Sequence, residues 1–270
     1  MKQALKNLTA QYCPFLYDII KNKESIWDKV SNKFEEKLEI AKDIITNKGQ
    51  ILTENSLPIL LGKAEEGDSI SKDFLKFIDS EIKYLFDSSP IELKEKTVGL
   101  CKRLFLEFDT VELSKPNPTY LNGVAEILVI NKLIKSGEYT LLSIEENLSN
   151  GKSADFLLKK NETNEKSYVE VFNIHVDDEK VSNFEDFKTF IDKRIEDKYS
   201  NKTSGLDGST KQIFFLCPVI WSGDSIASIL KEYDEKFSLQ SKNILNPCSL
   251  VQIDCKGTKY YHFGLNNYVR

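Results

Sequence analysis

Hydrophobic residues in the first 110 positions recur every three or four residues, which is the spacing of one face of an α-helix. The longest such stripe consists of Ile26, Val30, Phe34, Leu38, Ala41 and Ile45. The stretch from Ile51 to Asp68 interrupts this periodicity with Pro58, Gly62 and Gly67, so we interpret it as a connector. We therefore predict a helical N-terminal region over residues 1–113.

The pattern changes after Pro116 and Pro118, which disfavour both a helix interior and a central strand. Beyond them, helical periodicity alternates with short runs rich in β-branched and aromatic residues. The predicted elements are a helix over Thr119–Ser136, strands over Tyr139–Ile144, Ala154–Lys160 and Lys166–Val176, a helix over Asn183–Tyr199, a strand over Gln212–Ile220, a helix over Asp224–Phe237, and strands near Leu250–Asp254 and Lys259–Phe263. This order predicts an α/β (α+β) fold, with a second domain over residues 114–270.

Composition narrows the classes of function. The 270-residue chain has a net charge of -5 and three arginines among its 37 basic residues, so it lacks the overall positive field of a protein that coats nucleic acid. A local basic groove is compatible with this charge. Five cysteines without a Cys-x-x-Cys pair, and only two histidines, argue against a structural zinc site. With no apolar run long enough for a bilayer and no signal-peptide core, we expect a cytoplasmic protein with reduced thiols.

Three acidic residues are the strongest candidates for chemistry. Glu126 stands inside an apolar run of the predicted helix, and Asp155 and Glu170 stand in the second and third predicted strands. A hairpin centred on Thr163 would pair position 155 with position 171, which brings the two strand acids close together. Such like charges repel unless a cation lies between them. Because no thiolate or imidazole is in position, we expect Mg²⁺ or Mn²⁺, with Asp155, Glu170 and Glu126 as ligands.

These residues carry a family resemblance. The segments Asn122-Gly123-x-x-Glu126, Ser-Ala-Asp155-Phe and Tyr-Val-Glu170-Val, in the element order αβββαβ, resemble the PD-(D/E)xK (restriction endonuclease-like) superfamily over roughly residues 117–221. The resemblance implies a restriction endonuclease-like core with a mixed central sheet. It further implies that the two strand acids bind the metal and that the helical glutamate assists them.

The resemblance also implies a lysine two residues after the second acid, which positions or activates the attacking water, but Phe172 stands there. Some relatives carry this lysine on the following helix. Steps of about 100° per residue place Lys198, and after it Lys188, within the inward arc of that helix. The inward arc is defined by Phe184, Phe187, Ile191 and Ile195. The candidate catalytic residues are therefore Glu126, Asp155, Glu170, Lys198 and Lys188.

Two functions remain open at this point. The first is a metal-dependent nuclease that hydrolyses phosphodiester bonds in DNA bound through a local basic groove, in restriction or phage defence. The defence role rests only on a composition typical of AT-rich bacterial or phage genomes. The second is a catalytically degenerate nuclease fold that binds nucleic acid or a protein partner through its helical N-terminal region. A Cys/His hydrolase has weaker support, because Cys217, His175 and His262 show no third catalytic member.

Overall fold

The computed structural model describes residues 1–48, 56–106, 120–176, 181–222, 229, 243–245, 248–255 and 258–262. The chain divides into two compact units, Met1–Ile127 and Leu128–Arg270. The predicted domain boundary at residues 113 and 114 and most of the predicted helix Asp224–Phe237 lie outside the described residues. The boundary therefore stays a prediction.

The N-terminal unit is helical wherever it is described, as its apolar stripes predict. Its helices are α1 (Lys2–Tyr12), α2 (Pro14–Ile20), α3 (Glu24–Lys48), α4 (Leu57–Glu65), α5 (Ser69–Ser88) and α6 (Lys94–Leu106), with a 3-10 turn at Ile91–Leu93 and the first half of α7 (Tyr120–Lys135). Trp27 is fully buried, lies edge-on to Phe105 with ring centroids 5.8 Å apart, and donates from Nε1 to the carbonyl of Ile20. A single aromatic side chain therefore joins α2, α3 and α6.

Helix α4 corrects the prediction of a connector over Ile51–Asp68. Ser56 caps the helix by accepting a hydrogen bond from the amide of Ile59, and Pro58 stands within its first turn. A proline is tolerated there because the first amides of a helix have no intrahelical acceptor. Pro58 therefore marks the start of a helix rather than a break.

In the residues described, the second unit contains a six-stranded mixed sheet with the strands in chain order. They are β1 (Tyr139–Asn147), β2 (Ser153–Lys160), β3 (Lys166–His175), β4 (Phe214–Ser222), β5 (Cys248–Cys255) and β6 (Thr258–His262). The pairs β1/β2, β2/β3 and β5/β6 are antiparallel, and β3/β4 and β4/β5 are parallel. Helix α8 (Phe184–Thr203) and the short α9 (Gly208–Gln212) connect β3 to β4. The predicted mixed α/β class and the order αβββαβ are thus confirmed.

Helix α8 packs on one face of the sheet. The apolar cluster between them includes Phe172 and Ile174 of β3, Phe187, Ile191 and Ile195 of α8, and Phe214, Leu216 and Ile220 of β4. Because alternate residues of a strand point to the same face, Glu170 shares the face of Phe172 and Ile174. The packing of α8 therefore decides which helical residues reach Glu170.

The β2/β3 register differs by one residue from the prediction. Phe156 pairs with Val169, so continuing the ladder by one step places Asp155 opposite Glu170 rather than opposite position 171. The loop is not centred on Thr163, because Lys160 donates to the carbonyl of Glu165 and Asn164 adopts a left-handed conformation with φ of 59°. Asparagine tolerates this conformation better than most residues.

Candidate metal and nuclease site

Glu170 is a buried carboxylate on the strand face that α8 covers. It is 3% exposed, although its neighbours on that face are the apolar residues Phe172 and Ile174. A charge removed from water in this way is costly unless other charges and hydrogen bonds compensate it. The residues that do so define the candidate site.

Two lysines from α8 compensate Glu170. Lys198 Nζ and Lys202 Nζ each lie 2.9 Å from Oε1 of Glu170. The second oxygen, Oε2, is buried and has no hydrogen-bond partner among the residues that the structure describes. Since a buried carboxylate oxygen normally accepts a hydrogen bond, Oε2 has the capacity for a partner that the described residues do not supply.

Asp155 lies at the point where the β2/β3 ladder ends. Its Oδ2 accepts a hydrogen bond from the backbone amide of Val171 at 2.7 Å, so the carboxylate is held against the residue that follows Glu170. Asp155 is half-buried. The sheet register and this hydrogen bond together place the two strand acids on adjacent positions of neighbouring strands.

Phe172 occupies the strand position at which the resemblance implies a lysine. Its ring is buried, and two cations of α8 lie over it, with Arg194 Cζ 5.5 Å and Lys198 Nζ 5.4 Å from the ring centroid. Cations at this distance are attracted by the negative face of an aromatic ring. Phe172 therefore helps to seat Lys198, which brings the positive charge to Glu170 from the helix instead of the strand.

Lys188, the second candidate on α8, forms an ion pair with Asp192 one turn along the same helix, with Nζ 2.6 Å from Oδ2. The hydrogen bond to Asp192 raises the pKa of Lys188. A surface pair at this spacing is common on helices and explains the position of the side chain. A catalytic role of Lys188 stays a prediction.

The turn between β1 and β2 ties the end of α8 to the sheet. Asn150 Nδ2 donates to the carbonyls of Lys202 and Ser204, at 2.9 and 2.8 Å. Lys152 Nζ donates to the backbone carbonyl and to the side-chain oxygen of Asn201. These bonds satisfy carbonyl groups that the end of a helix leaves without partners. They fix the last turn of α8, and with it the lysines above Glu170.

Glu126 has an arginine as its counter-charge. Arg103 of α6 donates through Nη1 and Nη2 to the two oxygens of Glu126, at 2.9 and 2.8 Å. This bidentate pair compensates the buried carboxylate and leaves each oxygen a further lone pair. The role of Glu126 as a metal ligand stays a prediction.

His175, near the end of β3, stacks on Trp221 of β4 at 6.1 Å between ring centroids. Burial, with a smaller contribution from Arg194, lowers the pKa of His175 to about 4. The imidazole is therefore neutral at physiological pH. Cys217 is buried on β4, so the structure places neither residue as an exposed nucleophile and base.

The number and type of ligand atoms at the site can be compared with the requirements of a magnesium ion. Over the described ranges, no three His, Cys, Asp or Glu side chains are grouped to hold a metal. Mg²⁺ does not need such a cage, because it retains several waters and is commonly bound by one or two carboxylates together with substrate phosphates. Oε2 of Glu170 and the adjacent Asp155 fit this smaller requirement.

Three residues of this arrangement were missed by the sequence analysis. Lys202 follows Lys198 by four residues and so lies on the same helical face, a spacing that could have revealed it. Arg103 and Asn150 act on partners 23 and at least 52 residues away along the chain. No local pattern signals contacts over such separations.

Comparison with known proteins adds little beyond this geometry. No protein-family model and no curated protein matches the chain. Among solved structures, the SfsA protein of Pyrococcus furiosus in complex with Ca²⁺ is similar over 54% of this chain and 62% of its own, at 11% identity and a TM-score of 0.22. The chain thus spans less than two thirds of that protein. In the parts of the chain that the structure describes, no helix is long and apolar enough to cross a membrane.

Proposed function

We propose that the protein is a Mg²⁺-dependent nuclease that hydrolyses phosphodiester bonds in DNA. The observation that carries the proposal is Glu170, a buried carboxylate adjacent in register to Asp155, which Lys198 and Lys202 hold through one oxygen. Its other oxygen has no partner within the described part of the chain. Two acids on neighbouring interior strands, with a lysine on the covering helix, are suited to phosphodiester hydrolysis.

Asp155 and Glu170 would hold the metal, which when bound would polarise the scissile phosphate and lower the pKa of a coordinated water. The chain's own residues supply the remaining functions. Asp155 is oriented by the amide of Val171, so its carboxylate needs little rearrangement. Glu170 is oriented by its two lysines. Such fixed orientation is what makes charged groups effective in catalysis.

Lys198 would position the attacking water or the phosphate. Its ammonium group contacts Glu170 and the Phe172 ring and its side chain is 29% exposed, so substrate can approach it. Lys198, Lys202 and Arg194 also form a local basic surface on a chain that is acidic overall. Phosphate contacts by this surface would fall mainly to lysine, which acts as a point charge rather than as a bidentate donor.

The test is cleavage of plasmid and single-stranded DNA in Mg²⁺ or Mn²⁺ by the wild-type protein, Asp155→Asn and Glu170→Gln. We expect cleavage by the wild type, its loss on chelation, and a fall of at least ~100-fold in each variant, since each loses a charge that acts on the reaction. Lys193→Met changes an exposed lysine of the same helix and should cleave normally. Cleavage retained in both acid variants would refute the proposal.

A second function is supported by the charge balance of the site. Two lysines oppose two carboxylates, and Phe172 fills the lysine position of the strand, so the same arrangement could bind nucleic acid without cutting it. In that case the wild type should bind labelled DNA in a salt-dependent manner, with no cleavage in either metal. Fluorescence anisotropy alongside the cleavage assay separates the two functions.

A further inference from the structure

The two lysines on Glu170 are held differently. Lys202 Nζ donates to the carbonyl of Ser153 at 2.8 Å in addition to its contact with Glu170 Oε1, and its side chain is 20% exposed. The side chain of Lys198 is more exposed than that of Lys202, and its second described contact is a cation–π interaction with the Phe172 ring. Lys202 is thus held between β2 and β3 by two oxygen acceptors. Lys198 has one such acceptor in the described residues, so its ammonium group can donate further hydrogen bonds.

The two acids and the two lysines of the site carry no net charge among themselves. Asp155 and Glu170 contribute two negative charges, and Lys198 and Lys202 contribute two positive charges. A site with a single lysine would keep one net negative charge to attract a divalent cation. The second lysine instead stabilises Glu170 in the metal-free protein and repels the ion that Glu170 would bind, since like charges at short range disfavour one another.

We propose that Lys202 is a positioning residue, a fixed counter-ion that holds Glu170 by Oε1 in the metal-free protein and competes by charge with a divalent cation for this carboxylate. The inference rests on the proposed metal site. It assigns the two lysines different tasks: Lys198 faces the substrate, and Lys202 sets the metal concentration that the site requires. Substitution of Lys202 should therefore weaken the metal-free protein and tighten metal binding.

The experiment uses the full chain and follows the melting midpoint as Mn²⁺ or Mg²⁺ is added, because a ligand that binds only the folded form raises that midpoint. We expect Lys202→Met to melt a few degrees below the wild type without metal and to reach half of its metal-induced shift at a roughly three- to tenfold lower metal concentration. Lys193→Met is the matched control and should match the wild type in both measurements. Asp155→Asn in the Lys202→Met background should abolish the shift.

Lys202→Arg separates the effect of the positive charge from the effect of side-chain shape. It keeps the positive charge, so its metal requirement should stay within about twofold of the wild type. If Lys202→Met does not fold, Lys202→Gln replaces it, because its amide can still donate to Ser153 and Glu170 without the charge. An unchanged or weaker metal response in the uncharged variant would overturn the inference, as would a gain in affinity for Lys202→Arg equal to that of Lys202→Met.

The outcomes also separate this inference from the proposed nuclease activity. A metal response that depends on Asp155 and tightens in Lys202→Met supports the inference even if no variant cuts DNA, in which case the nuclease proposal alone fails. The absence of any metal response in both the wild type and Lys202→Met would overturn the inference directly.

Discussion

Replacing Arg103 with methionine should destabilise the N-terminal unit by leaving Glu126 as a buried charge without its main partner. The side chain of Glu126 is 7% exposed, and Arg103 donates two charge-assisted hydrogen bonds to it. Removal of one partner of a buried ion pair costs about 3–5 kcal/mol. Because the Arg103 side chain is 29% exposed and water can approach from that side, we expect about 2–4 kcal/mol.

The assay is urea unfolding followed by tryptophan fluorescence. The chain has two tryptophans, of which Trp27 lies in the N-terminal unit and contacts Phe105, two residues beyond Arg103 on α6. A Trp221→Phe background therefore makes the signal report on this unit alone. Lys102→Met is the matched control on the same helix and should change the free energy of unfolding by no more than about 0.5 kcal/mol.

A double-mutant cycle with Glu126→Gln tests the cause. Once the carboxylate is neutral, loss of Arg103 should cost much less, so the two substitutions should be non-additive by about 2 kcal/mol. A loss below about 1 kcal/mol in Arg103→Met, or additive effects, would show that Glu126 is compensated chiefly by other groups. The bidentate pair would then not be the main reason that this buried carboxylate is tolerated.

Two further predictions concern the second unit. The pKa of His175 is lowered to about 4 in the folded protein, against about 6.5 in the unfolded chain. As the pH falls, His175 therefore takes up its proton in the unfolded state first, which favours unfolding. Between pH 6.5 and pH 4 the wild type should therefore lose about 2–3 kcal/mol more stability than His175→Phe, measured by urea unfolding; parallel pH profiles would contradict this. Asn150→Ala should cost about 1–2 kcal/mol, and Asn150→Asp more, because a carboxylate would face the carbonyls of Lys202 and Ser204. Wild-type stability of both Asn150 variants would show that these hydrogen bonds contribute little.

Much of the fold could be predicted because it depends on local periodicity. The stripe of α3 and the alternation in β3 each follow from one face being buried, and the helical steps of α8 were enough to point Lys198 toward the sheet. The structure places its Nζ 2.9 Å from Glu170. The catalytic role of Lys198 is a separate matter and stays a prediction.

The errors have physical causes that are not local. The hairpin register depends on the left-handed conformation of Asn164, which shifts every pair by one residue. The environment of Glu126 depends on α6, because Arg103 of that helix lies 23 residues away in sequence and yet contacts Glu126. Sequence analysis identified a carboxylate in need of a counter-charge, but only the packing of the helices reveals that Arg103 provides one.

The packing of α8 against the face of β3 that carries Glu170 and Phe172 brings helical cations to an acid on the strand. Lys198 Nζ lies 2.9 Å from Glu170 and 5.4 Å from the centre of the Phe172 ring, so one ammonium group contacts an acid and an aromatic ring that are two residues apart. The negative face of the ring attracts the cation and so holds it near the acid. An aromatic residue two positions after a buried acid can thus orient a charge that a neighbouring helix supplies.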